Sequence, residues 1–334
     1  MTNKNILVTG GAGYIGSHTC LALAFCGYNP IIVDNYSNSS LGVIDRLNDI
    51  KMGSTPFLDI GPVDVLNTAI MRSLMTICKP LAVIHLAGLK AVGDSVTDPL
   101  SYYDTNVGGA VSVLKAMHDT GVKNFVFSST ATVYGDLQAD SLDESMPRSF
   151  ANPYAHTKIV VEDTLFAQMT ADPYFKRAVL RYFNPIGAHP SGKIADQPKG
   201  TPMNLMPIVV QAAKGERELT VFGDDYATPD GTCIRDYVHV MDLAAGHVAA
   251  LEYLLTKGGV IANLGTGNGY SVKEVIDTFQ RVNGVQVPHT IGSRRAGDVE
   301  RLVANPGKAQ RLFDWKASLT LEDMCRDAWN ARSL

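Results

Sequence analysis

The sequence predicts an α/β protein: a doubly wound parallel sheet followed by a smaller C-terminal α/β domain. Short apolar segments alternate with helix-like segments in the first half, and a glycine-rich loop follows the first apolar segment. Such alternation is typical of right-handed βαβ units. With 334 residues, the chain is long enough for one large or two modest domains.

The first half supplies the predicted parallel sheet. Its strands are predicted at Asn5–Thr9, Pro30–Asp34, Ala82–Leu86, Asn124–Ser128 and Ala178–Tyr182. Helices are predicted at Tyr14–Cys26, Thr68–Ile77, Tyr103–Thr120 and Pro153–Met169. Several strands carry Val, Ile and Phe at successive positions, as strands buried on both faces do.

The second half has a different texture. Pro185–Pro207 and Gly223–Gly231 are dense in turn-forming residues and are predicted to be loops. Helices are predicted at Met241–Leu255, Val272–Asn283, Gly307–Phe313 and Leu321–Ala331. We therefore predict a first domain over residues 1–184, rejoined by about 236–264 with its strand-like Val260–Leu264, and a second domain over 185–334.

Composition excludes several classes of function. The 29 Lys and Arg against 33 Asp and Glu give a net charge of −4, which argues against broad nucleic-acid or anionic-membrane binding. No apolar run approaches the ~20 residues of a membrane span, and Ile6–Val8 is too short for a signal peptide. The five scattered cysteines include no C-x-x-C pair. We therefore expect reduced thiols, a cytoplasmic location and no metal site.

Gly10, Gly13 and Gly16 form a G-x-x-G-x-x-G loop between the first predicted strand and helix. Glycines permit a tight turn and let a pyrophosphate approach the backbone, while the helix N-terminus offers free N–H groups. Asp34 ends the second predicted strand, where a carboxylate binds ribose hydroxyls and repels a 2′-phosphate. Together these residues predict NAD rather than NADP; the alternative is a turn with a solvated acid.

Tyr154 and Lys158 lie four residues apart in a predicted helix that begins at Pro153. They therefore project from one helix face, and a nearby ammonium favours the phenolate, which can act as a general base. The hydroxyl-rich segment Phe127–Thr132 follows a predicted strand at the edge of the sheet where ligands bind, so one of its hydroxyls can relay a proton. The alternatives are a chance Tyr–Lys pair and simple capping of the strand end.

Taken together, the motifs resemble the extended short-chain dehydrogenase/reductases, and within them the UDP-glucose (UDP-galactose) 4-epimerases. The resemblance extends from Val8 to about Trp315. Its most specific segments are TGGAGYIGSHT (9–19), AGLKAVGDSV (87–96), FSSTATVYGD (127–136), NPYAHTK (152–158), LRYFNPIGAHPSG (180–192), NLMP (204–207), GTCIRDYVHVMDLA (231–244) and NLGTG (263–267).

The resemblance implies a role for each matching position. Tyr154 would be the acid and base, Lys158 its partner and Thr130 the relay, where the family often has Ser. The implied NAD-binding residues are Gly10, Gly13, Tyr14, Ile15, Gly16, Asp34, Asn35, Asn38, Asp64, Val65, Leu86, Ala87, Lys90, Asn106, Tyr154, Lys158 and Tyr182. The implied substrate-binding residues are Lys90, Thr130, Tyr154, Asn184, Asn204, Leu205, Phe222, Arg235, Arg295, Asp298 and Leu302.

The activity implied by the resemblance is reversible inversion at C4 of UDP-glucose and UDP-galactose through a 4-keto sugar. NAD is the implied cofactor and a UDP-hexose the implied partner. A homodimer is also implied, with the helices at about 103–120 and 153–169 meeting at the two-fold axis.

Alternative functions depend on particular residues. Leu302 stands where the family often has Tyr, which leaves room for an N-acetyl group and hence for UDP-GlcNAc and UDP-GalNAc. A 4,6-dehydratase would need an acid and a base after Thr130, but the chain has Ala131 and Thr132 there. A non-catalytic NAD-binding protein would not need Tyr154, Lys158 and a relay hydroxyl together. Taken singly, Phe222 is also consistent with a core aromatic and Arg235 with a surface ion pair.

Overall fold

The computed structural model describes residues 4–51, 56–295 and 298–334. The strands are β1 (Asn5–Thr9), β2 (Asn29–Val33), β3 (Leu58–Asp59), β4 (Ala82–His85), β5 (Asn124–Thr130), β6 (Lys176–Tyr182), β7 (Asn184–Ile186), β8 (Leu219–Phe222), β9 (Ile234–His239), β10 (Val260–Leu264), β11 (Gly269–Ser271), β12 (His289–Gly292) and β13 (Arg301–Leu302). The α-helices are α1 (Tyr14–Phe25), α2 (Gly42–Ile50), α3 (Thr68–Cys78), α4 (Val92–Thr97), α5 (Pro99–Tyr102), α6 (Gly109–Thr120), α7 (Pro153–Ala171), α8 (Leu205–Ala213), α9 (Val240–Thr256), α10 (Val272–Asn283), α11 (Gly307–Phe313) and α12 (Leu321–Asn330).

The main sheet consists, within the described residues, of seven parallel strands in the order β10-β6-β5-β4-β1-β2-β3. The chain proceeds outward from β1 through β2 to β3 and then crosses to β4 on the other side. The switch point therefore lies between β1 and β4, where the carboxyl ends of the strands leave a ligand crevice. This order confirms the predicted doubly wound α/β fold.

Helices cover both faces of this sheet. Ile6 and Val8 of β1 belong to the core beneath α1 and α9, whereas Leu7 between them packs in the core beneath α3, α6 and α7. Successive residues of a strand point to opposite faces, so a strand with helices on both sides must be apolar throughout. That requirement explains the unbroken Ile-Leu-Val run.

A second, smaller sheet is centred on β9. Within the described residues, β7 and β13 pair with β9 in parallel and β11 pairs with it antiparallel, while β8 and β12 form a separate parallel pair. Helices α8, α10 and α12 contribute to the apolar core of this region. After β9, α9 packs against α1 and β10 joins the main sheet beside β6. The division into domains at residue 184 stays a prediction.

Several segments differ from the sequence prediction. Tyr103–Gly108 forms a π-helical turn rather than the start of an α-helix; it contains Asn106, whose side chain bonds to Leu89 and Thr157. The predicted loop Pro185–Pro207 begins inside β7 and ends inside α8. Proline is compatible with a strand at a sheet edge and with the first turn of a helix. The short helices α2, α4 and α5 were not predicted.

No helix among the described residues is long and apolar enough to cross a membrane.

Candidate active site

The glycine-rich loop lies at the switch point of the main sheet. Gly10 has a φ of +69°, and a Cβ there would lie 2.7 Å from the backbone nitrogen of Ala87. A Cβ on Gly16 would lie 2.0 Å from the carbonyl oxygen of Gly10. No side chain caps the start of α1 after Gly13, so its first N–H groups face the crevice at the positive end of the helix dipole. A loop without room for side chains fits the pyrophosphate of a dinucleotide.

Asp34 follows β2 beside this loop, and its carboxylate is buried. It accepts hydrogen bonds from Ala12 N at 3.0 Å, Tyr36 N at 2.8 Å and Ser39 Oγ at 3.0 Å. A carboxylate offers about four acceptor positions, so capacity for a ribose hydroxyl remains. Asp34 thus holds the glycine loop to the end of β2, a contact that its spacing in the sequence did not reveal.

Tyr154 and Lys158 lie in the first turns of α7. The helix begins because Asn152 Oδ1 accepts a hydrogen bond from Ala155 N at 2.9 Å and Pro153 occupies the first position. Lys158 Nζ donates to the carbonyl oxygen of Ser128 at 2.9 Å and lies 5.9 Å from the ring centroid of Tyr154. The helix therefore faces the carboxyl end of β5.

Burial shifts the pKa values of both Tyr154 and Lys158. Burial raises the pKa of Tyr154 above its ordinary value, and a hydrogen bond with the Thr130 hydroxyl offsets part of the rise. Burial also lowers the pKa of Lys158 to about 8. Thr130 is the last residue of β5 and its Oγ1 accepts a hydrogen bond from Thr132 N at 3.2 Å. The structure thus brings together the three residues that the sequence singled out for proton transfer.

The predicted nucleotide-sugar residues of the second region form one cluster. Asp298 accepts two hydrogen bonds from Arg295, at 3.1 and 2.9 Å, and lies 3.8 Å from Arg235 Nη2. The Arg295 guanidinium stands 5.7 Å from the centroid of the Phe222 ring, which is 45% exposed. Leu302 is buried and pairs with Arg235 across the two strands. Two guanidinium groups beside one carboxylate leave an excess of positive charge suited to a diphosphate.

A loop from the second region reaches across the crevice. Asp196 accepts hydrogen bonds from Lys90 Nζ at 3.4 Å and from Asn204 Nδ2 at 2.8 Å. Further along, Lys199 Nζ donates to the carbonyl oxygen of Tyr36 at 2.6 Å, and Lys199 N donates to Asn38 Oδ1 at 3.0 Å. The loop therefore touches predicted cofactor and substrate residues at once.

The remaining predicted residues are spread over the surface and the cores of both regions. Asn35 Nδ2 donates to Asp64 Oδ2 at 3.1 Å, and Tyr14 Oη donates to the carbonyl oxygen of Gly187 at 2.8 Å. Tyr182 is hydrogen-bonded to His247 inside the sheet core. Packed positions are Ile15, Leu86 and Ala87 around the main sheet, Val65 beneath α6, Leu205 in the core of the second region and Asn184 at the start of β7.

Sequence reasoning missed two acidic groups beside the site. Asp196 falls in a segment predicted to be an unstructured loop, so only the folded chain places it against Lys90. Glu162 lies one helical turn beyond Lys158 and is buried; its spacing from Tyr154 and Lys158 was a signal available in the sequence.

The chain is similar to known nucleotide-sugar enzymes along nearly its whole length. Residues 7–328 match the family model described as GDP-mannose 4,6 dehydratase. The UDP-glucose 4-epimerase of Bacillus subtilis (strain 168) is 49% identical over 330 residues, which cover 98% of this chain and 96% of that protein.

Solved structures of UDP-glucose 4-epimerases are similar to this chain over nearly its whole length. The UDP-glucose 4-epimerase of Stenotrophomonas maltophila, with bound NAD and formylated UDP-arabinopyranose, superposes with a TM-score of 0.96 at 44% identity, covering 99% of this chain and 98% of that one. The enzyme of Bifidobacterium longum, in complex with NAD⁺ and UDP, gives a TM-score of 0.94 at 44% identity, with 98% of each chain covered.

Proposed function

Since the chain belongs to the UDP-glucose 4-epimerases, we propose that it interconverts UDP-glucose and UDP-galactose with bound NAD. The chain also matches the family model described as GDP-mannose 4,6 dehydratase. It is an isomerase that inverts C4 of the hexose. The observation that carries the proposal is the meeting of Tyr154, Thr130 and Lys158 at the carboxyl end of β5.

Each of these three side chains has a distinct task in the proposal. Tyr154 takes the proton of the sugar 4-hydroxyl, directly or through Thr130, and returns a proton to the oxygen on C4 once the keto sugar has been reduced on its opposite face. Lys158 favours the phenolate by its charge, since an ammonium nearby stabilises the ionised form. NAD, when bound, would supply the acceptor for the C4 hydride and the donor that restores hydride to the opposite face of C4, so the chain needs no second substrate.

The residues at the switch point fit the cofactor. In our proposal the glycine loop and the first N–H groups of α1 hold the pyrophosphate, and Asp34, Asn35 and Asn38 hold the adenosine end. The space limits at Gly10 and Gly16 support this assignment, because a side chain at either position would collide with the backbone of Ala87 or of Gly10 and distort the loop.

The cluster around Asp298 suits the UDP part of the substrate. Arg235 and Arg295 offer forked donors for two phosphates, and the half-exposed face of Phe222 offers a stacking surface for uracil. Asp298 holds Arg295 by two hydrogen bonds and lies 3.8 Å from Arg235 Nη2, so the two guanidinium groups stand close together before the diphosphate arrives. Leu302, beside Arg235, would face the sugar.

Two alternatives from the sequence receive less support. Ala131 and Thr132 form a single turn after Thr130, and neither side chain can serve as the acid and base of a 4,6-dehydratase. The relatives reported above are named for UDP-glucose, so the alternative that N-acetylated UDP-hexoses are preferred is not favoured.

We also propose that the protein works as a homodimer in the cytoplasm. Val96 of α4, Leu100 of α5 and Phe166 of α7 are 62%, 79% and 63% exposed, next to the helices expected at a two-fold axis. Exposed apolar side chains on helices that pack together, as α4 and α5 do against α7, are typical of an interface. The cysteines are free thiols, which agrees with a reducing compartment.

The function is tested by C4 epimerisation with purified protein and no added NAD. We expect turnover of UDP-galactose to UDP-glucose and release of NAD on denaturation. Tyr154→Phe should lower kcat by about 10²–10⁴-fold, the usual contribution of a general acid–base group. Tyr174→Phe, at a tyrosine that is 79% exposed on the surface, is the matched control and should keep the activity.

Turnover that is unchanged in Tyr154→Phe would refute the catalytic assignment. UDP-GlcNAc is tested beside UDP-galactose. If it turns over equally well, the N-acetyl alternative returns, and Leu302→Tyr should then remove that activity selectively. Absence of turnover with both sugars, and of released NAD, would support a non-catalytic protein instead.

A further inference from the structure

Glu162 is a buried carboxylate directly behind the proposed catalytic residues. It lies on α7, one turn after Lys158 and two turns after Tyr154. Its oxygens accept hydrogen bonds from Ser129 Oγ at 2.6 Å and from Arg181 Nε and Nη2 at 3.0 and 2.8 Å. Arg148 Nη1 adds a fourth donor at 3.1 Å. A carboxylate with four donors is fixed in one orientation.

These contacts join α7 to two neighbouring strands at one level of the sheet. Ser129 of β5 and Arg181 of β6 are direct partners in the parallel register, and the next pair is Thr130 with Tyr182. Glu162 is therefore hydrogen-bonded to β5 at Ser129, one residue before Thr130, which carries the proposed relay hydroxyl. The same helix carries Tyr154, so one carboxylate connects both partners of the proposed proton transfer.

Arg181 is itself held rigidly. Burial opposes its charge, but hydrogen bonds and ionic attraction from Glu162 outweigh burial and raise the pKa of the guanidinium above its ordinary value. Its Nη1 also donates to Tyr134 Oη at 3.0 Å, and Tyr134 donates to Asn263 Oδ1 at 2.7 Å. The hydrogen bonds of Glu162 thus continue through Arg181 of β6 to Asn263 of β10, the strand at the edge of the sheet.

We propose that Glu162, acting through Ser129, is a positioning residue that sets the separation between the hydroxyls of Tyr154 and Thr130. The proposal rests on the proposed function, because it concerns the proton transfer assigned to those hydroxyls. Ser129 and Glu162 are buried and already have protein hydrogen-bond partners, so we assign neither of them a contact with substrate. Misplacement of reacting groups by about 1 Å can cost ~10²-fold in rate.

Ser129→Ala removes the link to β5 and leaves the Glu162–Arg181 pair intact. We expect kcat to fall about 10-fold, within the range for such misplacement, with KM for UDP-galactose and the NAD content unchanged. The acidic limb of the kcat–pH profile should move to higher pH. The reason is that the Thr130 hydrogen bond, which lowers the pKa of Tyr154, is weakened when β5 is no longer held against α7.

Two further variants separate positioning from ordinary stabilisation. Ser129→Thr keeps a hydroxyl and should retain most of the activity. Thr164→Ala removes a hydroxyl on the same helix that bonds to Val160 O at 2.8 Å, and it should change neither kcat nor the pH profile. Glu162→Gln should repeat the kinetic effect of Ser129→Ala more strongly, with thermal unfolding recorded in parallel.

A second readout does not depend on turnover. Spectrophotometric titration of wild type against Tyr154→Phe, and of Ser129→Ala against the double variant, isolates the phenol of Tyr154. A higher pKa in Ser129→Ala supports positioning. An unchanged kcat, pH profile and titration in Ser129→Ala, or an equal loss in Thr164→Ala, would overturn the proposal. A wild type without epimerase activity, together with a higher pKa of Tyr154 in Ser129→Ala, would refute the proposed substrate alone.

Discussion

Lys158 illustrates at the residue scale how a site suited to catalysis opposes stability. Its side chain is 5% exposed, and burial lowers its pKa from 10.5 to about 8. Among the described residues it donates a hydrogen bond to the carbonyl oxygen of Ser128, which is not a counter-ion. A buried ammonium without an adjacent carboxylate raises the free energy of the folded state. The molecule accepts that cost at the position where a positive charge favours the Tyr154 phenolate.

Lys158→Met should therefore lower kcat by at least about 10²-fold while making the NAD-free protein more stable at pH 7. The gain is at most about 3 kcal/mol, from ~1.4 kcal/mol per pKa unit, less the loss of the Ser128 hydrogen bond. Urea unfolding of the NAD-free wild type and variant measures it. Lys176→Met, at a half-buried lysine of β6 away from the site, is the control for removing a lysine.

The direction of the pKa shift of Lys158 determines how its effect on folding stability changes with pH. The folded pKa lies below the unfolded one, so between about pH 8 and pH 10.5 the unfolded chain binds more protons than the folded chain. The destabilisation by Lys158 is complete below pH 8 and fades as the pH rises through that window. The stability advantage of Lys158→Met should shrink accordingly between pH 7 and pH 10. A variant less stable than wild type at pH 7 would contradict this account.

At the element scale, the loop between β7 and α8 connects the two regions of the chain. Lys199 contacts the segment after β2 through Tyr36 O and Asn38 Oδ1. Lys193 of the same loop instead reaches Asp49 in α2, at 3.2 Å. The first contact adjoins the proposed adenosine end of the cofactor, whereas the second is an exposed ion pair of the kind that contributes ~0–1 kcal/mol.

Lys199→Ala should therefore speed the loss of NAD, whereas Lys193→Ala should not. We expect a dissociation rate about 3–10-fold higher, because the net contribution of a typical hydrogen bond is about 1 kcal/mol. The measurement is the fraction of NAD retained during gel filtration at successive times. Equal retention by the two variants would show that the loop does not hold the cofactor in place.

The elements that could be predicted are those with local signals. α10 begins at a capping box formed by Ser271 and Glu274, and its predicted range is the observed one. α7 likewise begins where Asn152 and Pro153 indicate. By contrast, the π-helical turn at Tyr103–Gly108 coincides with bonds that Asn106 makes to Leu89 and Thr157, residues distant in sequence. Such contacts exist only in the folded chain.

The candidate site likewise contains residues that local sequence signals could place and residues that they could not. Tyr154 and Lys158 share a helix face and could be placed from their spacing. Resemblance to a family placed Arg235 and Arg295 in one role, although nothing local indicates that both would face Asp298. Asp196 had no local signal at all, because its contact with Lys90 spans the crevice between distant parts of the chain.

At the scale of the whole molecule, one buried acid ties the two sheets together. Asp236 of β9 accepts hydrogen bonds from Thr266 N at 2.8 Å, Gly267 N at 2.9 Å and Ala304 N at 3.1 Å. The first two belong to the turn after β10 of the main sheet, and the third follows β13. Asp236 is adjacent to Arg235, so the proposed diphosphate contact is fixed relative to the main sheet.

The assembly proposed for the molecule is tested by its mass in solution. Light scattering after gel filtration should give twice the mass of one chain for the wild type at micromolar concentration. Phe166→Glu places a charge on the 63% exposed apolar surface of α7 and should shift the mass toward that of one chain, because burying an unpaired charge is costly. Ile77→Glu is the matched control on α3, where the side chain is 76% exposed, and it should leave the mass unchanged. A wild type with the mass of one chain would refute the dimer, and equal behaviour of the two variants would place the interface elsewhere. A dimer lost only in Phe166→Glu would show that α7, the helix carrying Tyr154, also packs against the partner subunit on its outer side.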